Sequence, residues 1–140
     1  MGNNPSILID LNIILDVFQK RDPFFVASSG LLAAVESGRV TGYMASHSIT
    51  TLYYLIQKGR SAADARAIIT NLLQFLKVLP VDQSTIEQAL NLAYPDFEDA
   101  VQMITAVQNK MDCLITRNVK DYQPPLLPIM QPADFLTTLS

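Results

Sequence analysis

Four short apolar runs set what this chain can fold into. Ile7, Leu8 and Ile9 end on Asp10, and residues 40–45, 78–81 and 113–115 read as three further strands. One or two stretches of helical spacing separate each run from the next. Strands alternating with helices imply an α/β layer with a largely parallel sheet. Right-handed crossovers then place helices on both faces. Pro80 inside the third run puts that strand near a sheet edge. Residues 127–130, broken up by Pro124, Pro125 and Pro128, read as a poor edge strand. The expectation is one domain over residues 1–140, a three-layer α/β/α fold around a mainly parallel sheet of roughly five strands.

The helical stretches carry their own punctuation. After Asp10 a helical segment runs through Ile14, Leu15 and Phe18. Asp22 and Pro23 read as N-cap and first helical residue of a helix buried through Leu31, Leu32 and Val35, which stops at Ser37-Gly38. Residues 46–48 can cap a helix whose apolar face is Ile49, Leu52, Tyr53 and Ile56 and which ends at Gly59. Ser61 and Asp64 resemble a capping pair opening a helix buried through Ile68, Ile69, Leu72, Leu73 and Leu76. A helix over residues 84–93 buries Ile86, Ala89 and Leu90. The next repeats Ala100, Met103, Ile104 and Val107 at i, i+3, i+4, i+7. A last short helix holds Phe135 and Leu136.

Composition narrows the class. With 140 residues, 49% of them hydrophobic, the chain can bury a real core and is not disordered. No apolar run approaches the roughly 18 to 20 residues of a membrane span. The start, M-G-N-N-P, lacks the basic and apolar regions of a signal peptide, so a cytoplasmic location is expected. The single cysteine, Cys113, excludes an internal disulfide framework and reads as a buried strand residue. A net charge of −3 argues weakly against broad nucleic-acid binding. It does not exclude a nuclease, because carboxylates clustered around a metal also make a small protein acidic.

The acids gather where such folds do chemistry. Ligands of open parallel sheets bind at the carboxyl ends of the strands. Asp10 ends the first strand, residues 116–121 leave the last buried strand, and Asp96, Glu98 and Asp99 open the helix before it. A hard cation such as Mg2+ takes oxygen ligands, often few carboxylates together with substrate phosphate. Asp10, Asp99 and Asp121, with Asn118 as a neutral oxygen donor, suit that chemistry. Plainer roles stand beside it. Asp10 and Asp96 can cap helices, Glu98 and Asp99 complement a helix dipole, and Asp121 can form a turn. Asp16, Asp64, Asp82 and Asp134 read as caps or solvated residues, and His47 as a capping or surface residue. Tyr53 and Tyr54 read as core and half-core positions. Arg117 and Lys120 flank the site and could contact phosphate or solvent.

Three blocks, I-L-I-D-L-N-I-I-L-D, P-D-F-E-D-A and L-I-T-R-N-V-K-D-Y, recur in order over nearly the whole chain. In them the chain resembles the PIN-domain proteins, the fold of the VapC-type toxin ribonucleases, and in particular the subgroup with a D-F-E-D-A helix start. The resemblance implies an endoribonuclease dependent on Mg2+ or Mn2+, an RNA substrate, an antitoxin partner and a homodimer. It assigns Asp10 to the first metal-binding acid and Asn12 to its polar partner. Asp99 becomes the acid opening the long helix, and Thr116 the hydroxyl residue at the last strand's end. The fourth acid falls at Asn118 or Asp121.

One position departs from the family pattern. A Glu commonly stands in the helix after the second strand, yet residues 46–56 contain no Asp or Glu. Glu98, beside Asp99, is the candidate replacement. Two functions follow: a metal-dependent ribonuclease of a toxin–antitoxin pair, or a non-catalytic PIN-like module that binds RNA or protein. A phosphatase using Asp10 as nucleophile ranks behind both, because the second Asp of its usual motif is Asn12 here.

Overall fold

A computed structural model describes residues 4–139. Five parallel strands form one sheet in the order β3-β2-β1-β4-β5. They are β1 (Ser6–Ile9), β2 (Thr41–Ala45), β3 (Leu76–Leu79), β4 (Cys113–Ile115) and β5 (Ile129–Met130). Between β1 and β2 come α1 (Leu11–Phe18) and α2 (Phe25–Glu36), and between β2 and β3 come α3 (Ser46–Gly59) and α4 (Ala62–Leu72). Then α5 (Gln83–Ala89) and α6 (Phe97–Gln108) lead to β4, a 3-10 turn (Val119–Asp121) follows it, and α7 (Pro132–Thr137) follows β5.

Side chains of a strand alternate between faces, and the two cores follow that period. Ile7, Ile9, Cys113 and Ile115 pack with α1, α2, α3, α4 and α7 on one side. Leu8 and Leu114 pack with Ala89 of α5 and Ala100, Met103 and Ile104 of α6 on the other. The three-layer architecture, the parallel sheet and the edge placement of β3 and β5 are therefore as the strand pattern requires. Burial lifts the Cys113 thiol to about 11, which suits a packed strand residue rather than a nucleophile.

Local boundaries moved in several places. Asp22 does not cap α2. The N–H groups of Phe24 and Phe25 both bond to the Arg21 carbonyl, residues 22–24 form a turn, and the helix begins at Phe25 without a side-chain cap. Nor do residues 46–48 cap α3, which starts at Ser46 directly from β2. α4 stops at Leu72, where Gln74 and Phe75 bond back to Asn71 and Leu72 and swing Leu76 into β3. Leu73 is consequently exposed, and Pro80 falls beyond the strand instead of interrupting it.

α5 is shorter than its apolar spacing implies, with Asp82 and Thr85 closing a reciprocal capping box. Ala89 is buried there, but Ile86 and Leu90 face outward. Val107 and Tyr54 are likewise exposed. Asp82 is a cap as expected, Ser61 accepts from the Asp64 N–H at 3.0 Å, and Asp64 and Asp134 lie in first helical turns. Asp16 is different: it is neither cap nor solvated, but buried. Among the described residues no helix is long and apolar enough to cross a membrane.

Candidate active site

β1 and β4 lie side by side, so their carboxyl ends bring together residues far apart in sequence. Asp10 is the link. Its backbone N–H continues the ladder to the Ile115 carbonyl at 3.0 Å, and its side chain caps α1, Oδ1 accepting from the Asn12 N–H at 3.4 Å. Oδ2 accepts from the Thr116 hydroxyl at 3.0 Å. That hydroxyl accepts in turn from the Asn118 N–H at 3.2 Å. Capping a helix and serving a site are thus not alternatives for Asp10. Both of its oxygens are oriented by neutral donors, and burial pushes its carboxyl above the usual range.

The second acid comes from α6. Asp96 is the N-cap, its Oδ1 accepting from the N–H groups of Glu98 at 2.8 Å and Asp99 at 3.4 Å. That leaves Asp99, half-buried in the first turn, to point toward the sheet edge. Its Oδ1 accepts from the Tyr122 hydroxyl at 3.0 Å, and the Tyr122 oxygen accepts from Gln102 Nε2 at 2.9 Å. Burial first, and then the charges of Asp96, Asp10 and Asp121, raise Asp99 to about 6, against the opposing effect of the Tyr122 bond.

Asp10, Asn12, Asp96, Glu98, Asp99 and Gln102 share a cavity of ≈ 240 Å³ with His47 and Thr51 of α3. A neighbouring depression of ≈ 490 Å³ adds Asp121 to Asp96 and Asp99. Asn118 instead lines a third, with Arg117 and Lys120. Of the two candidates for the fourth acid position, Asp121 is therefore the one on the Asp99 side, while Asn118 contributes a backbone donor to Thr116. Glu98 is at the cavity wall but exposed. Among the described residues, no three of His, Cys, Asp or Glu stand close enough to hold a metal ion by themselves. The acids form a pair with satellites, not a closed cage.

Two side chains, His47 and Arg117, stand differently from their sequence readings. His47 is a cavity-wall residue, not a cap. Burial lowers its pKa, the nearby Glu98 charge works the other way, and its buried Nδ1 has no hydrogen-bond partner. Arg117 is turned away from solvent, its Nη1 lying 3.3 Å from Asp16 Oδ1. Lys120 remains exposed. Gln102 and Tyr122 were not singled out from the sequence. Gln102 sits three residues after Asp99, a polar interruption in an otherwise apolar helix face. Tyr122 closes the K-D-Y motif, and only its burial beneath Asp99 reveals its use.

A model of the PIN domain matches residues 6–120. No curated protein matches the chain in sequence. Solved structures of similar fold include a toxin–antitoxin complex from Klebsiella pneumoniae, at 22% identity over 91% of this chain and 98% of that one, with a TM-score of 0.68. FitAcB from Neisseria gonorrhoeae is similar at 16% identity over 91% and 98%, TM-score 0.68. VapC20 from Mycobacterium tuberculosis, described as a toxin cleaving the sarcin–ricin loop, is similar at 16% identity over 78% and 87%, TM-score 0.63.

Proposed function

The chain belongs to the PIN-domain family, and from that premise we propose that it is a metal-dependent endoribonuclease, the toxin of a toxin–antitoxin pair. One observation carries the reading: Asp10 and Asp99 wall a single cavity, with both carboxyls raised by burial and held by neutral donors. Among the described residues neither makes an ion pair. Two acids placed together without an ion-pair partner, with only the Arg117 charge acting on Asp10 from beyond contact, are poised to take up a cation.

The donor set is oxygen throughout, which fits Mg2+ or Mn2+, ions that bind through one or two carboxylates and keep several waters. Asp10 and Asp99 would hold the ion, with Asp121 and Glu98 within the same acidic surroundings. Bound there, it supplies Lewis-acid charge to a phosphodiester and lowers the pKa of a water. The protein's own part is orientation. Thr116 and the Asn12 N–H fix the two oxygens of Asp10, Tyr122 and Gln102 fix Asp99, and Asp96 caps α6 so that Asp99 stays free of that duty. Lys120 is the remaining candidate for phosphate. Arg117 is not, because its guanidinium is engaged by Asp16.

RNA as substrate and an antitoxin as partner are supported by the family and by the toxin–antitoxin complexes of similar fold. The test is incubation of purified protein with structured RNA and Mn2+, alongside Asp10→Asn and Asp99→Asn. The nuclease reading requires cleavage by the parent chain and its loss in both variants. Cleavage unchanged in the variants overturns it. The second reading, a non-catalytic RNA- or protein-binding module, draws on α3, which offers His47 and Thr51 to the cavity and no carboxylate. That reading requires no cleavage at saturating Mn2+.

A further inference from the structure

Asp16 is buried to 0% exposure on α1, the helix that Asp10 caps. Its Oδ1 lies 3.3 Å from Arg117 Nη1 and 3.8 Å from Arg21 Nη1, and its Oδ2 accepts from Ser28 of α2 at 3.4 Å. The Arg117 guanidinium is covered from another side by the Phe24 ring, 4.2 Å from its centroid. Arg117 is thus fixed by charge and by stacking, the two modes for which arginine is suited over lysine.

Stability does not account for such a pair. Desolvating two charges offsets most of their attraction, and apolar residues of similar volume often serve as well. The connectivity gives a better reason. Arg117 directly follows Thr116, whose hydroxyl holds Asp10 Oδ2. The exit of β4 and the helix α1 are therefore joined twice: at Asp10–Thr116, and again at Asp16–Arg117. Neither residue of the second joint lines the cavity that Asp10 and Asp99 share.

We propose that Asp16 and Arg117 are a positioning pair, which clamps the β4 exit against α1 and so sets, through Thr116, the direction of the Asp10 carboxylate. The inference rests on the reading of Asp10 as a site residue. It assigns Arg117 no contact with RNA.

The test replaces the pair with apolar residues, Asp16→Leu with Arg117→Met, so that neither charge is left buried alone. In the Mn2+-dependent RNA assay, kcat should fall about 10- to 100-fold, the usual loss when a residue supporting a metal ligand is removed. KM for RNA should stay within about twofold of the parent, and thermal unfolding should stay near it as well. An unchanged kcat overturns the proposal, and so does a raised KM with kcat intact, which would mark Arg117 as a phosphate contact. A crystal structure of the double variant decides independently of activity. A Thr116–Asp10 separation opened beyond hydrogen-bonding range supports the clamp, and a retained 3.0 Å bond overturns it. If the parent chain cleaves nothing, the nuclease reading falls and the crystallographic result still judges the pair. Should the double variant fail to fold, Arg117→Lys, which keeps the charge but loses the planar fork, is read in the same two ways.

Discussion

Tyr122 donates its hydroxyl hydrogen to Oδ1 of Asp99, one of the two acids of the cavity, across 3.0 Å. The ring is 1% exposed and packs edge-on to Tyr94, so the hydroxyl has no rotational escape to water. Burial and the two acids keep the phenol protonated, which preserves it as a donor. Replacing Tyr122 by Phe keeps the ring but strands Gln102 Nε2 and releases Asp99. Urea unfolding at pH 7 should show a loss of about 1–3 kcal/mol, the cost of buried polar groups left unpaired. Carbon NMR should show the Asp99 carboxyl moving up from about 6, because the bond that opposes the shift is gone.

Asp99 also gives stability a pH dependence of defined sign. Its folded pKa of about 6 is above the ordinary 3.8, so between those values the folded state holds a proton that the unfolded state has released. Stability from this group is therefore full below about 3.8, falls as pH rises to about 6, and is level above. Asp99→Asn removes the titration while keeping an oxygen for Tyr122. At pH 7 the variant should be more stable than the parent by about 1 kcal/mol, a figure reduced for the group's partial exposure. At pH 4 the difference should vanish. Paired denaturant melts at the two values measure it.

Divalent cations should act on the same two acids in the opposite direction. Mg2+ or Mn2+ favours the ionised carboxylates, so binding should release protons and tighten as pH rises through about 6. At 100 times its dissociation constant, an ion that binds only the folded chain adds about 2.7 kcal/mol. Thermal melts with and without Mn2+ should therefore separate at pH 7.5 and converge at pH 5. Asp10→Asn should abolish the separation.

Gly42 sits in β2 between β1 and β3, paired with Ile7 and Leu76. A Cβ there would meet Leu76 Cδ2 and Val35 Cγ1, each at 2.9 Å. Leucine can turn its methyl aside, but the β-branched Val35 on α2 cannot easily do so. Gly42→Ala should cost about 1–3 kcal/mol by overpacking. Val35→Ala in the same chain should recover part of it, which a double-mutant cycle in urea will show.

How far the residues announced this molecule depends on the range over which each signal acts. Period and composition are local, and they were enough for the strands at Ile7 and Cys113 and for the layering of helices on both faces. Capping proved less readable. Asp82 and Asp96 cap as their positions imply, whereas Asp22 does not, because a turn from Arg21 delays α2 by two residues. Leu73 and Leu90 fall just past the early stops of α4 and α5 and are exposed, and Ile86 faces outward from within α5 despite its helical spacing.

In the site, Asp10, Asp99 and Thr116 were legible as strand-end and helix-start residues, and the separation of Asn118 from Asp121 was not. Three residues of sequence cannot say which side of a 3-10 turn faces the cavity. The roles of Tyr122 and Gln102 carry no local signal, and Asp16 reads as a cap or solvated residue though it is buried, for a common reason. Each is polar and buried against an element distant in sequence, and neither property is carried by its neighbours.

The position of β1 between β2 and β4 has a consequence for how the chain comes off the ribosome. Asp10 emerges early, yet its hydroxyl partner is 106 residues later and Asp99's is later still. β1 can dock on β2 long before β4 exists, leaving Asp10 with its helix cap alone. Until β4 and the turn after it are made, Asp10 lacks Thr116 and Asp99 lacks Tyr122, so no shorter polypeptide holds both acids as the folded chain does. Whatever the cavity does, it becomes able to do only once residue 122 has cleared the exit tunnel. A molecule meeting the chain during translation would therefore meet it before Asp10 and Asp99 have their hydroxyl partners.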